Sequence, residues 1–208
     1  MAIKRRLFIG LIFFGFLFFG CATSQPQIPF DRASSQPGTH VTFKGNSVNL
    51  LGTPVTIGKP LPSVELVDAM TMKGVNLSSE KGYVLFLSIV PSLDTPVCEE
   101  QTHYLAEKGE KLLPSIKRIV ISRDTPFAQK RFAKEAKLTH LQYLSDYKQG
   151  DFGRSTGLLT DGLMLLARSV IILDKGGIVR YIQVVPEMTH LPDMEKAFEK
   201  AMELAKEG

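Results

Sequence analysis

The segment at residues 83–98 constrains the fold more than any other part of the chain. Residues 83–90 are Tyr-Val-Leu-Phe-Leu-Ser-Ile-Val, a nearly all-apolar run rich in residues that favour β-strands. Such a run predicts a strand buried on both faces, as in a sheet covered by helices. A turn and the sequence Thr95-Pro-Val-Cys98 follow, and a helix is predicted from there over residues 96–111. We therefore expect an α/β protein with a cysteine just beyond a central strand.

The remaining segments predict a mixed sheet with helices on both faces. Periodicity and turn residues indicate further elements: strands at residues 63–67 and 118–122, a helix at 126–137, a hairpin over 168–185 and an amphipathic helix from Met194. Residues 41–50 alternate around Gly45-Asn46, which predicts an N-terminal β-hairpin. This order of elements is that of a thioredoxin-like α/β fold, and we expect one such domain at residues 41–208.

The first 20 residues are typical of an export signal. Residues 4–6 are Lys-Arg-Arg, and residues 7–19 are apolar apart from two glycines. The apolar stretch is shorter than the roughly 20 residues that a membrane-spanning helix needs, which favours a signal peptide. The stretch ends at Gly20-Cys21, and a small residue directly before a cysteine resembles the cleavage box of bacterial lipoproteins.

The resemblance to that cleavage box implies a location for the protein. Residues 1–20 would be removed, Cys21 would become the lipid-modified N-terminus, and residues 21–40 would form a flexible linker. A lipidated Cys21 cannot form a disulfide. We expect a lipid-anchored protein of the bacterial cell envelope that faces the periplasm, and Ala22 slightly favours the outer over the inner membrane. An ordinary secretory signal and an uncleaved anchor are the alternatives.

The charge of the mature chain does not favour a nucleic-acid partner. The full chain has a net charge of +4, but three of its 25 Lys and Arg residues lie in the leader, which holds no Asp or Glu. The remainder is nearly neutral and has no block of basic residues. We therefore expect no nucleic-acid binding.

Cys98 is the candidate nucleophile. A lone cysteine in an apolar chain is more often a small core residue, but its placement favours reactivity. It lies just after the carboxyl end of a buried strand, where open α/β sheets bind ligands. With Thr95 as N-cap and Pro96 as the first helical residue, free N–H groups of the first turn would favour a thiolate. Glu99 and Glu100 oppose ionisation, so a cation should approach from elsewhere in the fold.

The run Pro91-Ser-Leu-Asp-Thr95-Pro-Val-Cys98 resembles the active-site signature of the peroxiredoxins, Pro-x-x-x-Thr-x-x-Cys. Residues 125–132 and 165–171 are similar to the atypical thiol peroxidase subfamily, and the resemblance covers about residues 41–205. It implies a thiol peroxidase that reduces hydrogen peroxide and organic hydroperoxides, and a homodimer. We expect no cofactor and no bound metal.

The resemblance also implies roles for four residues. Cys98 would attack the peroxide oxygen and become a sulfenic acid, and Thr95 would hydrogen-bond the thiolate and the peroxide. Pro91 would shield the site, and Arg168 would supply the missing cation. From the residues alone, Thr95 is equally explained as a helix cap, Pro91 as the end of a strand, and Arg168 as a surface arginine.

The sequence departs from that subfamily at Ala133. Most members carry a resolving cysteine in the helix after Pro-Phe-Ala-Gln, at the position where this chain has Ala133, and the expected mature domain has no thiol besides Cys98. An intramolecular disulfide therefore cannot complete the cycle. We expect a one-cysteine cycle in which an external thiol, on a thioredoxin-like protein or a small molecule, reduces Cys98. Excess peroxide should over-oxidise it.

Other functions remain open. A membrane-anchored, thioredoxin-fold redox sensor or binding module would keep the peroxidatic motif without efficient turnover. A disulfide oxidoreductase would need Cys-x-x-Cys, but Thr95 stands at the first of those positions. A copper-delivery protein would need Cys-x-x-x-Cys and a histidine, but Thr102 stands at the second position. His103, in the same helix, leaves a weak metal site as a further alternative.

Overall fold

The computed structural model describes residues 27–207, over which the chain alternates between strands and helices. The elements are, in chain order, β1 (Phe30–Asp31), β2 (His40–Phe43), β3 (Asn46–Leu51), β4 (Leu66–Asp68), β5 (Gly74–Val75), β6 (Val84–Ile89), α1 (Pro96–Gly109), β7 (Ile116–Ser122), α2 (Pro126–Glu135), β8 (Gln142–Ser145), α3 (Asp151–Thr156), β9 (Leu159–Thr160), β10 (Ser169–Leu173), β11 (Val179–Val184), β12 (Leu191–Pro192) and α4 (Met194–Lys206). A 3-10 turn at Leu77–Ser79 precedes β6.

The central sheet is mixed and has seven strands, in the order β11-β10-β6-β7-β8-β4-β5. Its strands β6, β7 and β8 are parallel, so their carboxyl ends meet at one edge of the sheet. β10 pairs antiparallel with β6, and β4 pairs antiparallel with β8. The arrangement is the predicted thioredoxin-like α/β fold, and the edge formed by the three carboxyl ends is where the cysteine-bearing loop leaves the sheet.

The central strand β6 is buried on both faces, as predicted. Val84 and Phe86 belong to an apolar cluster that includes side chains of α1, α2 and α4. Leu85, Leu87 and Ile89 point into a second cluster that includes α3 and the N-terminal hairpin. Alternate residues of one strand thus supply two cores, and helices cover both faces of the sheet.

The N-terminal hairpin is present, but its turn lies one residue earlier than predicted. β2 and β3 pair antiparallel, with Phe43 opposite Asn46, so the turn residues are Lys44 and Gly45. Both have positive φ angles, 51° and 79°. A two-residue turn of this kind needs positive φ at both central positions, which places the glycine second rather than first.

Other element bounds differ from the expectation by one to three residues. β7 begins at Ile116 rather than residue 118, and α1 ends at Gly109 rather than residue 111. The strand predicted at residues 63–67 lies at Leu66–Asp68, and α2 ends at Glu135 rather than residue 137. Lys137 has a φ of 59°, a left-handed conformation that ends a helix. None of these differences moves a residue of the candidate site.

Residues 27–40 differ from the expected flexible linker, because they lie against the domain. β1 pairs in parallel with β12, and the Ser35 amide donates to the Val184 carbonyl at 2.8 Å. Gln183 Nε2 donates to the carbonyls of Asp31 and Ala33 at 2.6 and 3.1 Å. These contacts cover part of the edge strand β11. The ordered body therefore begins before residue 41.

The predicted signal peptide, residues 1–20, and the predicted lipid attachment site, Cys21, lie outside the described residues, as does the rest of the expected linker up to residue 26. In the part of the chain that the structure does describe, no helix combines the length and the apolar character needed to cross a bilayer.

Candidate active site

The start of α1 places Cys98 where the sequence predicts it. Pro91 is buried at the end of β6, and the chain then turns to begin α1 at Pro96. The Cys98 amide donates to the Thr95 carbonyl at 3.0 Å, which fixes the cysteine in the first turn of the helix. Its side chain is 0% exposed. The sulfur is therefore enclosed at the edge of the sheet, with the positive end of the helix dipole nearby.

Thr95 contacts the sulfur instead of capping the helix with its side chain. It occupies the N-cap position but makes no side-chain cap hydrogen bond. Its Oγ1 lies 2.9 Å from Cys98 Sγ and 3.0 Å from the Ser92 carbonyl. A hydroxyl has one proton, so it can donate to the carbonyl while accepting from a thiol, or donate to a thiolate. The same side chain can therefore serve both protonation states of Cys98.

Arg168 supplies the cation that the sequence required. It precedes β10, is 2% exposed, and places Nη2 3.3 Å from Cys98 Sγ. Burial lowers the pKa of Arg168, and interaction with the Cys98 sulfur opposes that shift. A guanidinium nevertheless stays charged in proteins, so it can stabilise a thiolate that has lost its hydration. The alternative of a surface arginine is wrong.

Two groups that sequence reasoning missed hold the Arg168 guanidinium in place. Nη1 donates to Gln101 Oε1 at 2.8 Å, and Nε donates to the Met188 carbonyl at 2.9 Å. Gln101 is buried, and its Nε2 donates to Ser88 Oγ of β6 at 2.8 Å. A signal for Gln101 existed, because it follows Cys98 by three residues and so shares its helix face. The role of the Met188 carbonyl has no signature in the sequence.

A cavity of about 400 Å³ lies beside the site, between the start of α1 and the side of α2. Thr95 lies on its wall, and Asp94, Glu99 and Glu135 contribute carboxylates to the lining. Thr95 is exposed whereas Cys98 is not. A reactant can therefore reach Thr95 from the cavity, but it touches the sulfur only when the loop or the first helical turn moves, and a protein thiol needs a larger movement than a peroxide does.

Ala133 lies inside the core and not at the surface of the site. It is 0% exposed and belongs to the same apolar cluster as Cys98. Cys98 is a free cysteine. A thiol at position 133 would be enclosed in that cluster, so its contact with the surface would also require α2 to move.

The structure thus brings Cys98, Thr95 and Arg168 together and places Pro91 at the buried start of their loop. Within residues 27–207, no group of three or more His, Cys, Asp or Glu side chains has an arrangement that could hold a metal ion. His103 lies 3.8 Å from carboxylate oxygens of both Glu99 and Glu107 on the surface of α1.

Comparisons with known proteins identify the family of the chain. The Redoxin family matches residues 56–198. A thiol peroxidase of Halalkalibacterium halodurans is 39% identical over 77% of this chain and 96% of its own, and the thiol peroxidase of Bacillus subtilis is 37% identical over 80% and 98%. The crystal structure of a peroxiredoxin-like protein from Aquifex aeolicus is similar with a TM-score of 0.75 and 34% identity, over 82% of this chain and 99% of that one. The chain therefore belongs to the redoxin family and, within it, to the peroxiredoxins of the thiol peroxidase type, a class of peroxidase oxidoreductases.

Proposed function

We propose that the protein reduces hydrogen peroxide and organic hydroperoxides through Cys98 alone, in a one-cysteine cycle that an external thiol completes. One observation carries the proposal. Cys98 Sγ lies 2.9 Å from a hydroxyl and 3.3 Å from a buried guanidinium, two groups that can hydrogen-bond a thiolate and stabilise the charge that develops on a peroxide oxygen. The sequence provides no thiol other than Cys21 to complete the cycle within the chain.

The first step is attack of the Cys98 thiolate on one oxygen of the peroxide. The S–O bond forms as the O–O bond breaks, so the sulfur is oxidised to a sulfenic acid and the peroxide is reduced to water or an alcohol. The leaving oxygen carries away the electron pair of the O–O bond. Arg168 and the Thr95 hydroxyl are placed to stabilise that developing charge, and the leaving oxygen then takes a proton.

The second step restores the thiol. An external thiolate attacks the sulfur of the Cys98 sulfenic acid and forms a mixed disulfide, and the hydroxide that leaves takes up the proton that the thiol released, giving water. A second equivalent of thiol then attacks the mixed disulfide and releases Cys98 together with an external disulfide. Because Cys98 is fully buried, this step requires the active-site loop to open. A sulfenic acid that waits for a partner is open to further oxidation to sulfinic acid.

Peroxide consumption by the full chain tests this cycle. Turnover should occur with a small dithiol or a thioredoxin-like protein, should be absent in Cys98→Ser, and should decline during exposure to excess peroxide as sulfinic acid accumulates. If Cys98 is oxidised once but no thiol supports cycling, the protein is a sensor or binding module of the same fold. Fully retained turnover at high peroxide would contradict the predicted over-oxidation.

We also propose that Cys21 carries a lipid, that the protein is held at an envelope membrane facing the periplasm, with the outer membrane favoured, and that it forms a homodimer. The support is the leader sequence for the first two statements and the family for the third. The intact mass of the natively expressed protein should show a lipid that Cys21→Ala lacks. Separation of inner and outer membranes locates it, and sedimentation of the detergent-solubilised protein gives its assembly state.

A further inference from the structure

The loop between β7 and α2 carries a carboxylate that bonds to the loop before the reactive cysteine. Asp124 Oδ1 accepts a hydrogen bond from Ser92 Oγ at 2.8 Å, and Asp124 Oδ2 accepts one from the Leu93 amide at 2.8 Å. Both donors lie in the segment that joins β6 to α1. One side chain therefore fastens the connection before Cys98 to the end of the neighbouring parallel strand.

Asp124 is itself held from the other side. Ser122 Oγ donates to Asp124 Oδ2 at 2.7 Å, and the Ser145 hydroxyl donates to the Asp124 carbonyl. The buried Gln129 in turn donates to Ser122 Oγ at 2.9 Å and to the Leu144 carbonyl at 3.0 Å. An ionised carboxylate only accepts hydrogen bonds, so three converging donors fit an aspartate and leave no acceptor for the amide group of an asparagine.

The fastened segment leads directly to the sulfur. Ser92 bonds Asp124 with its hydroxyl, and its carbonyl accepts from Thr95 Oγ1, which lies 2.9 Å from Cys98 Sγ. Leu93 is 3% exposed and belongs to the same apolar cluster as Cys98. The position of Thr95 over the sulfur therefore depends on a loop that Asp124 attaches to the sheet edge. An exposed ion pair between Asp94 and Arg131, at 3.3 Å, attaches the same loop to α2.

We propose that Asp124 is a positioning residue that holds the active-site loop closed and thereby sets the balance between the two halves of the catalytic cycle. The closed loop keeps Thr95 against Cys98, as attack on peroxide requires. The open loop exposes the buried sulfur to a thiol too large to enter the closed site. The part of this assignment that concerns reduction by an external thiol rests on the proposed one-cysteine cycle. The effect of Asp124 on loop opening does not depend on that cycle.

Asp124→Asn should change two reactions of Cys98 in opposite directions. The loss of one hydrogen bond to a charged group should raise the population of the open loop about tenfold or more. Alkylation of reduced Cys98 by iodoacetamide should accelerate by that factor, because labelling of a buried thiol follows opening. Oxidation of Cys98 by stoichiometric hydrogen peroxide should slow slightly, in proportion to the fall in the population of the closed loop that keeps Thr95 at the sulfur.

The opposite signs separate loop opening from other effects of the substitution. Removing a negative charge near the site would favour the thiolate and accelerate both reactions. A general loss of packing would lower the melting temperature along with the peroxide rate. Alkylation needs no turnover, so it reports on the role of Asp124 even if no external thiol supports a cycle. Failure of the proposed cycle would appear separately, as an absence of turnover in the wild-type protein.

Four proteins make the comparison: wild type, Asp124→Asn, Ser92→Ala and, as a matched control, Asp161→Asn in the exposed turn after β9. Ser92→Ala removes the hydroxyl that donates to Asp124 Oδ1, so it should also accelerate alkylation and slow oxidation, each by a smaller factor. This variant tests the role of Asp124 even if Asp124→Asn fails to fold. Asp161→Asn should match wild type in both rates. Unchanged alkylation in Ser92→Ala and Asp124→Asn, or rates that move together, would overturn the assignment.

Discussion

At the scale of single residues, the site depends on a guanidinium whose orientation is fixed by three acceptors. Arg168 contacts Cys98 Sγ, Gln101 Oε1 and the Met188 carbonyl with three different nitrogens. Such a planar fork holds its charge at the sulfur more rigidly than a flexible ammonium would. Charge alone is therefore not sufficient at this position.

Arg168→Lys should reduce the rate of Cys98 oxidation by about 100-fold, although it keeps a positive charge. Lysine cannot make the three divergent contacts at once. Stopped-flow measurement of sulfenic acid formation at limiting hydrogen peroxide tests the expectation. A lysine variant within a factor of about two of the wild type would show that orientation by Gln101 and Met188 is unimportant.

Thr95 offers a matched pair of substitutions. Thr95→Ser retains the hydroxyl that contacts Cys98 Sγ and should keep most of the peroxide rate. Thr95→Val keeps the shape but removes the only proton available to a thiolate from that side chain, and should slow the reaction by about 10- to 100-fold. The same stopped-flow assay compares them. Equal rates in the two variants would reduce Thr95 to a packing residue.

At the scale of elements, the N-terminal hairpin is attached to the loop that orients Arg168. Glu187 follows β11 and accepts hydrogen bonds from the amides of Lys44 and Gly45 at 3.0 Å and from Thr42 Oγ1 at 2.9 Å. The next residue, Met188, donates its amide to the Thr42 carbonyl and gives its own carbonyl to Arg168. The hairpin is therefore part of the support of the site, although it lies far from Cys98 in sequence.

Glu187 gives this attachment a pH dependence. Hydrogen bonds from Gly45, Thr189 and Thr42 outweigh burial and lower the pKa of Glu187 to about 2. A depressed pKa stabilises the fold above the ordinary glutamate value near 4.3, and the contribution is lost as the pH falls toward about 2. The melting temperature of Glu187→Gln should thus lie below that of the wild type at pH 6 and approach it near pH 2. A difference that persists unchanged to pH 2 would contradict the assignment.

At the scale of the whole molecule, a feature can be predicted from the sequence when the residues that form it lie close together in the chain. Cys98 and Thr95 lie in one contiguous run after a buried strand, so local pattern was sufficient to place them. Arg168 was predicted by resemblance, and its burial beside Cys98 became visible only when β10 paired with β6. Asp124 follows the carboxyl end of β7. Its nearness to the loop after β6 becomes clear only from the parallel pairing of β6 and β7, which brings their carboxyl ends together.

Other features have no local signature. Residues 27–40 lack hydrophobic periodicity, and their order arises from pairing with β12 and from contacts to Gln183 and Val184 late in the chain. The Met188 carbonyl is a backbone group that any residue would supply. Tertiary pairing, not local propensity, decides such features.

The one-cysteine cycle requires that Cys98 is the sole redox nucleophile and that it depends on a thiol from outside the chain. Its most direct test is the intact mass of the full protein after one equivalent of hydrogen peroxide and again after an external thiol, for wild type, Cys21→Ala and Cys98→Ser. We expect addition of a single oxygen to wild type and Cys21→Ala, reversed by the thiol, and no addition to Cys98→Ser. Loss of two hydrogens as an intramolecular disulfide, or oxidation that persists in Cys98→Ser, would contradict it.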